Sequence, residues 1–430
     1  MTDVLPEASM ESDPRRNSAL LKLDLYCRGA RVDDSCHVED AGGRPILRTR
    51  AGLGSGLEAI LPGGEWTNIP VAEPFAAESP YLVRHENGKF LLSLDQQDIC
   101  EIQLSPRPGW YEAMTSTGKK MSRVGTLQGT YLGIYPGKVC EYWTRDVKDN
   151  CKFCSVGLNL GHDDADEKNV EEVIEVVRRA RLESGITYVD FNTGHYEGET
   201  YLDLLEPYIV AIKEQTGLLV GVQTPPHADL KRYDALKKMG VNRVSFCFEI
   251  FDQERFVDVC PGKHTQYGLD RYLQAIEYCA SLGSGDIASF EPWVTNGEII
   301  VGLEPAESSI AAIDWITEKG AVPTVCVFRP LISTDYADVA PPATEEVAPV
   351  FARLWEKCME HRLPIGVAPN INVSLVMLPE ECEALSDRSG SYKMHRLKLA
   401  GMRKVFAAGF LRKLKHKERS YPEYALKVDA

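Results

Sequence analysis

No run of eighteen apolar residues occurs in the chain, so the sequence predicts no membrane-spanning helix. Excess positive charge is also lacking. The 48 Lys and Arg stand against 63 Asp and Glu, a formal net charge of -15. That argues against a nucleic-acid partner, which calls for a basic surface. The polar N-terminal stretch, MTDVLPEASMESDPRRNSA, has no apolar signal core. The expected location is therefore cytoplasmic. There, the 12 cysteines read as metal ligands, catalytic groups or buried thiols rather than disulfides.

What is present is ample apolar material, 44% of 430 residues, enough for two or three domains. Residues 1–18 read as a disordered N-terminus. Residues 19–125 carry short apolar runs (LLKLDLYC, YLVRHENGKFLLSL, CEIQL) broken by Gly, Pro, Asn and Asp, which predicts a small, mostly-β domain. Asn87-Gly88 between two such runs marks a hairpin.

From residue 126 the rhythm changes. Six apolar runs (TLQGTYLGIY, ITYVDFNTG, LLVGVQT, VNRVSFCFEI, EIIVGLE, VPTVCVFRPL) alternate with amphipathic helices as far as residue 362. Such alternation implies parallel strands with right-handed crossovers, in an open sheet or a barrel. Residues 363–430 form a C-terminal extension. LPIGVAPNINVSLVML predicts one more strand or a loop over the barrel mouth, and YKMHRLKLAGMRKVFAAGFLRKLKHKER a basic helix packed outside.

Three cysteines lie together just after the first of these strands. Ten residues separate Cys140 from Cys151, and two separate Cys151 from Cys154. Chemistry in parallel α/β folds sits at the carboxyl ends of strands. Three thiolates can hold three irons of a [4Fe–4S] cube and leave the fourth open to a small molecule. A rival reading adds His162 to the three cysteines as a structural zinc site, making the chain a binding or interaction protein.

The loop resembles that of the radical S-adenosylmethionine (SAM) superfamily, whose usual motif is Cys-x3-Cys-x2-Cys with an aromatic before the last Cys. CKFC matches the second half, with Phe153 as the aromatic; the first spacing is ten rather than three. NTGHYEGE, with Thr193 and Gly194, resembles the family's Gly-rich segment that receives the methionyl amino group. Glu249 in SFCFEIFD and Arg271 some twenty residues on resemble the acid and Arg of biotin synthase and the hydrogenase-maturation enzymes. GEIIVGLEPAE, with Val301, resembles the region beside the adenine, although Gly302 stands one position late.

The resemblance implies a partial (β/α)6 TIM-type barrel. It implies a [4Fe–4S] cluster on Cys140, Cys151 and Cys154, with SAM held by Phe153, Thr193, Gly194, Glu249, Arg271 and Val301. It also implies a small-molecule substrate and an electron donor such as flavodoxin or ferredoxin. The reaction implied is reductive cleavage of SAM to a 5′-deoxyadenosyl radical that takes hydrogen from the substrate. A strand period of two further groups Ser245, Cys247 and Glu249 on one face, and Val325, Val327 and Arg329 on another, making Cys247 and Arg329 candidate substrate neighbours. His195 and His227 lie just past strands.

Overall fold

A computed structural model describes residues 13–36, 56–286, 288–388 and 390–420. Its centre is an open sheet of six parallel strands in sequential order: β1 Tyr131–Ile134, β2 Tyr188–Asn192, β3 Leu219–Gln223, β4 Arg243–Glu249, β5 Val294–Val301 and β6 Val322–Val327. Helices on the outer face connect them, so the alternation read from sequence is a partial (β/α)6 barrel. The first connecting helix shows why the chain obeys the pattern. Asn169 and Glu172 form a capping box at the start of Val170–Ser184, and Gly185 closes the end at φ 67°. Between them Val173, Val176, Val177 and Ala180 bury one face against the sheet.

The run expected to be one first strand is two. Thr126–Gln128 pairs antiparallel with β1 through a turn at Gly129 (φ 77°) and forms the sheet edge.

Before the barrel, a second sheet of six strands, mostly antiparallel, surrounds its own core of Leu57, Ile69, Tyr81, Val83, Leu92 and Ile102. The expected hairpin joins Tyr81–Glu86 to Lys89–Leu94, with Asn87 (φ 52°) and Gly88 (φ 78°) in the turn. LLKLDLYC, however, is not a strand. It lies in a helix, Ser18–Arg28, capped by the Asn17 side chain. Lys22 and Asp24, which gave the run its alternating look, are both buried. Lys22 pairs with Glu381 at 2.8 Å and Asp24 with Arg28 at 2.9 Å, and Tyr81 donates to Asp24 at 2.6 Å. Structure thus begins before residue 19. Of the stretch read as disordered, residues 1–12 lie outside the described residues.

Past the last barrel helix, Thr344–Glu360, the segment 364–380 forms no strand. It runs under the amino ends of the strands, tied there by Thr130 N–H to Asn372 O (3.0 Å), Thr187 Oγ1 to Pro369 O (2.6 Å) and Asn370 Nδ2 to Gly185 O (3.0 Å). The basic helix Lys393–Ser420 follows. Leu399, Phe406, Phe410 and Leu414 bury one face, while Met394, Leu397 and Val405 stay exposed. Among the described residues no helix is long and apolar enough to cross a membrane.

Candidate functional site

At the carboxyl ends of the strands lies a cavity of about 110 Å³. Cys140, Cys151 and Cys154 all line it, together with Phe153, Thr193, Gly194 and Glu249. The cysteine loop is anchored by its own small core, in which Tyr135, Val156 and Leu160 pack on Val139 and Trp143. The ten-residue spacer is folded onto its neighbours rather than looped out. The Tyr142 ring stacks on His195 at 4.5 Å, and the Asp149 carbonyl accepts from the Gly262 N–H at 3.0 Å.

The Gly-rich segment meets the loop at close range. A Cβ on Gly194 would stand 2.4 Å from the Cys140 Cβ, so this approach needs glycine. Beside it the His195 N–H points at the Cys140 sulfur (3.3 Å), and the Glu141 N–H donates to His195 O (3.0 Å). The His195 ring is used within the protein. It bonds Tyr267 through Nδ1 at 2.6 Å, and burial together with Arg145 pushes its pKa down to about 4.

Glu249 ends β4 at φ 71°, a strained value for a non-glycine residue, beside a register shift between Cys247 and Glu249. This kink turns its carboxylate into the cavity, where Lys263 meets it at 3.0 Å. Arg271 and Val301 do not line the cavity. Arg271 pairs with Glu199 of the Gly-rich segment and lies over the Tyr267 ring. Glu199 also accepts from the Ala228 N–H at 2.7 Å, so one acid ties the loops after β2 and β3 to the helix Gly268–Ser281 that follows β4. Val301 is buried at the end of β5, its carbonyl taken by Phe328 N–H.

Ser245 and Cys247 face the barrel interior as the strand period predicts. Arg329 does not. Its guanidinium binds Asn68 Oδ1 (2.8 Å) and the Asn68 carbonyl and lies over the Tyr26 ring. The inward residues of β6 are Thr324 and Cys326 instead, because the outer helices Ala306–Glu318 and Thr344–Glu360 cover the other face. His227 stands beside Glu199, at 4.0 Å.

The sequence reading missed three neighbours. Cys260 is fully buried and hydrogen-bonds the Cys151 sulfur; that bond first, then the nearby Lys263, holds the Cys151 thiol below its ordinary range despite burial. Lys263 also donates to the Cys247 carbonyl. Glu298, inward on β5, is pushed up to about 7 by burial and by Glu249. Burial raises the other two thiols, Cys140 to about 11 and Cys154 to about 12.

The donor set decides between the metal readings. Zn–S bonds of about 2.3 Å in a tetrahedron need sulfurs about 3.8 Å apart. No group of three His, Cys, Asp or Glu among the described residues could hold a single metal ion. His162 is absent from the cavity lining. The zinc reading therefore finds no support. Three thiols spread around one buried cavity fit a larger, multi-iron group.

The model of the radical SAM superfamily matches residues 148–316. Those residues form a domain of that superfamily, and such a domain implies an enzyme with a [4Fe–4S] cluster and SAM as cofactors. The matched stretch contains Cys151 and Cys154 but begins after Cys140. The bacteriochlorophyllide c C-7(1)-hydroxylase of Chlorobaculum limnaeum is 26% identical over 367 residues, 78% of this chain and 85% of that protein. Among solved structures, methylornithine synthase is 17% identical, covering 65% of this chain and 85% of its own, with a TM-score of 0.40. The coproporphyrinogen III oxidase of Escherichia coli is 16% identical, covering 60% and 57%, with a TM-score of 0.36.

Proposed function

We propose that this enzyme holds a [4Fe–4S] cluster on Cys140, Cys151 and Cys154 and cleaves SAM reductively. A 5′-deoxyadenosyl radical then takes hydrogen from a small substrate inside the barrel. The observation that carries this reading is the convergence of the three cysteines, Thr193–Gly194 and Glu249 on one cavity at the carboxyl ends of the strands. The cluster with SAM supplies the one-electron chemistry; the chain supplies binding, orientation and exclusion of water. Tyr135, Tyr142, Trp143 and Phe153 give the cavity apolar walls. Gly194 lets the segment that would receive the methionyl amino group close up against Cys140. Glu249, held by Lys263, is aimed to accept from that ammonium or from the ribose hydroxyls. Arg271 acts as a positioning residue, holding the Gly-rich loop through Glu199.

The identity to a protein named as a hydroxylase supports chemistry at a C–H bond of the substrate. An external one-electron donor, a flavodoxin or ferredoxin, completes the set of partners. Anaerobically reconstituted enzyme, given SAM and dithionite, should form 5′-deoxyadenosine and methionine. S-adenosylhomocysteine as sole product would replace this reading with methyl transfer.

A further inference from the structure

Behind the cofactor cavity, toward the amino ends of the strands, lies a second and larger cavity of about 250 Å³. Gln223 and Glu298 line both, so the two spaces share a wall one side chain thick. Their linings differ. The barrel side carries Arg243, Asn296, Glu298 and Thr324; the opposite side is the apolar segment 364–379, including Ile371, Val376 and Met377.

The polar groups of this chamber are largely spent on one another. Arg243 donates to Asn296 Oδ1 at 3.0 Å and to Asp190 at 3.2 Å, and stands 4.0 Å from Glu298. Asp190 also accepts from Tyr188 and, at 2.7 Å, from Gln223 Nε2. An anionic ligand would find no uncommitted cation in the lining and two acids there, Glu298 and Glu380. The apolar segment is a fixed wall, held by the hydrogen bonds to the strand ends described above. Ligand sites are commonly of this kind, apolar in lining with a few convergent polar groups that fix orientation.

We infer that this chamber receives the substrate, and that the substrate is mostly hydrocarbon with one uncharged hydrogen-bonding group. The apolar body lies along Ile371, Val376 and Met377. The polar group meets Gln223 and Glu298, which sets the adjacent C–H bond at the wall shared with the cofactor cavity. Glu298 suits a neutral partner because it is close to half-protonated near neutral pH and so both donates and accepts. The inference rests on the function proposed above.

The test uses the full-length, cluster-loaded protein and two fluorescent probes, neutral Prodan and anionic 1-anilinonaphthalene-8-sulfonate. Prodan should bind with a blue-shifted emission and the sulfonate at least tenfold more weakly. Val376→Trp and Ile371→Trp each fill the chamber from a different point of the segment. In whichever variant keeps the wild-type melting temperature and iron content, Prodan affinity should fall at least tenfold. Unchanged Prodan affinity in a folded variant, or tighter binding of the sulfonate at the same site, overturns the inference. Formation of 5′-deoxyadenosine by the wild type is measured separately. If it forms while the Prodan result is negative, the chamber assignment alone fails. If Prodan behaves as expected while no 5′-deoxyadenosine forms, the cofactor reading fails and the assignment as a substrate chamber falls with it.

Discussion

The two ends of the barrel are built on opposite principles. At the carboxyl end, the groups proposed for the chemistry come from loops that lie far apart in sequence and meet at one cavity: the cysteines, the Gly-rich segment, Glu249 and Lys263. Close contacts and a strained backbone hold them there. At the amino end, the strands carry a mutually satisfied network around Arg243, and an apolar segment covers it. The contrast teaches that the same six strands provide a mouth proposed for the chemistry and an interior whose charges are paired with one another beneath an apolar cover. Glu298 stands on the border between them.

The sharpest way to break this picture is at the cysteines. Cys151→Ala with Cys154→Ala should reduce iron from about four per chain to none and abolish SAM cleavage, as read by iron analysis and 5′-deoxyadenosine assay. An intact cluster in the double variant would move the reactive end elsewhere.

Glu298 tests the border. Its folded pKa of about 7 lies above the ordinary 4.5, so the folded state holds the proton more tightly than the unfolded chain. Stability attributable to this group is therefore fully present below about pH 4.5 and is lost as pH rises through about 7. Glu298→Gln cannot titrate. Asp190, Glu249, Arg243, Cys247 and Cys326 face it and remain in place. The variant should gain on the wild type between pH 5 and pH 8 by up to about 3 kcal/mol, read from denaturant unfolding of the cluster-free protein. No pH dependence in that difference would mean that the carboxyl is ionised throughout.

Gly194→Ala sharpens the account of the reactive end. The added methyl must displace Cys140 or the Gly-rich loop, at a cost of about 1–3 kcal/mol. Iron content should fall along with melting temperature. Arg271→Met has the smallest expected effect on the fold. Its ion pair with Glu199 is only partly exposed, and its loss should weaken SAM binding about tenfold at intact iron content. Unchanged SAM affinity in isothermal titration would remove Arg271 from any part in holding SAM.

The barrel was legible in the sequence because buried parallel strands and amphipathic helices each leave a local period. The cysteine loop and Gly-rich segment were legible because their residues cluster. What escaped notice did so for physical reasons. The helix Ser18–Arg28 hides its 3.6-residue period because Lys22 and Asp24 are buried in ion pairs rather than exposed. Cys260 and Lys263 reach the cysteine loop across more than a hundred residues, which no local pattern reports. Glu298 did leave a signal: an acid on the inward alternation of β5, in step with Asn296. Arg329 was assigned inward from a strand period alone. Which face of β6 lines the barrel depends on what packs against it; the outer helices claim the Val325 and Val327 face, and Arg329, just past the strand, is drawn to Asn68 and Tyr26.

The contact between Gly194 and Cys140 has a thermodynamic meaning as well as a steric one. The backbone proposed to receive the methionyl group and the first proposed iron ligand share a hydrogen bond and a van der Waals surface, so neither can shift alone. Two ligands whose sites share a wall in this way are coupled, and coupling of equilibrium affinities is reciprocal. Whatever factor the cluster adds to the affinity for SAM, SAM must add to the affinity for the cluster. The cofactor should therefore protect its own metal: iron extraction by a chelator should become harder in the presence of SAM, by the same factor by which loss of iron weakens SAM binding.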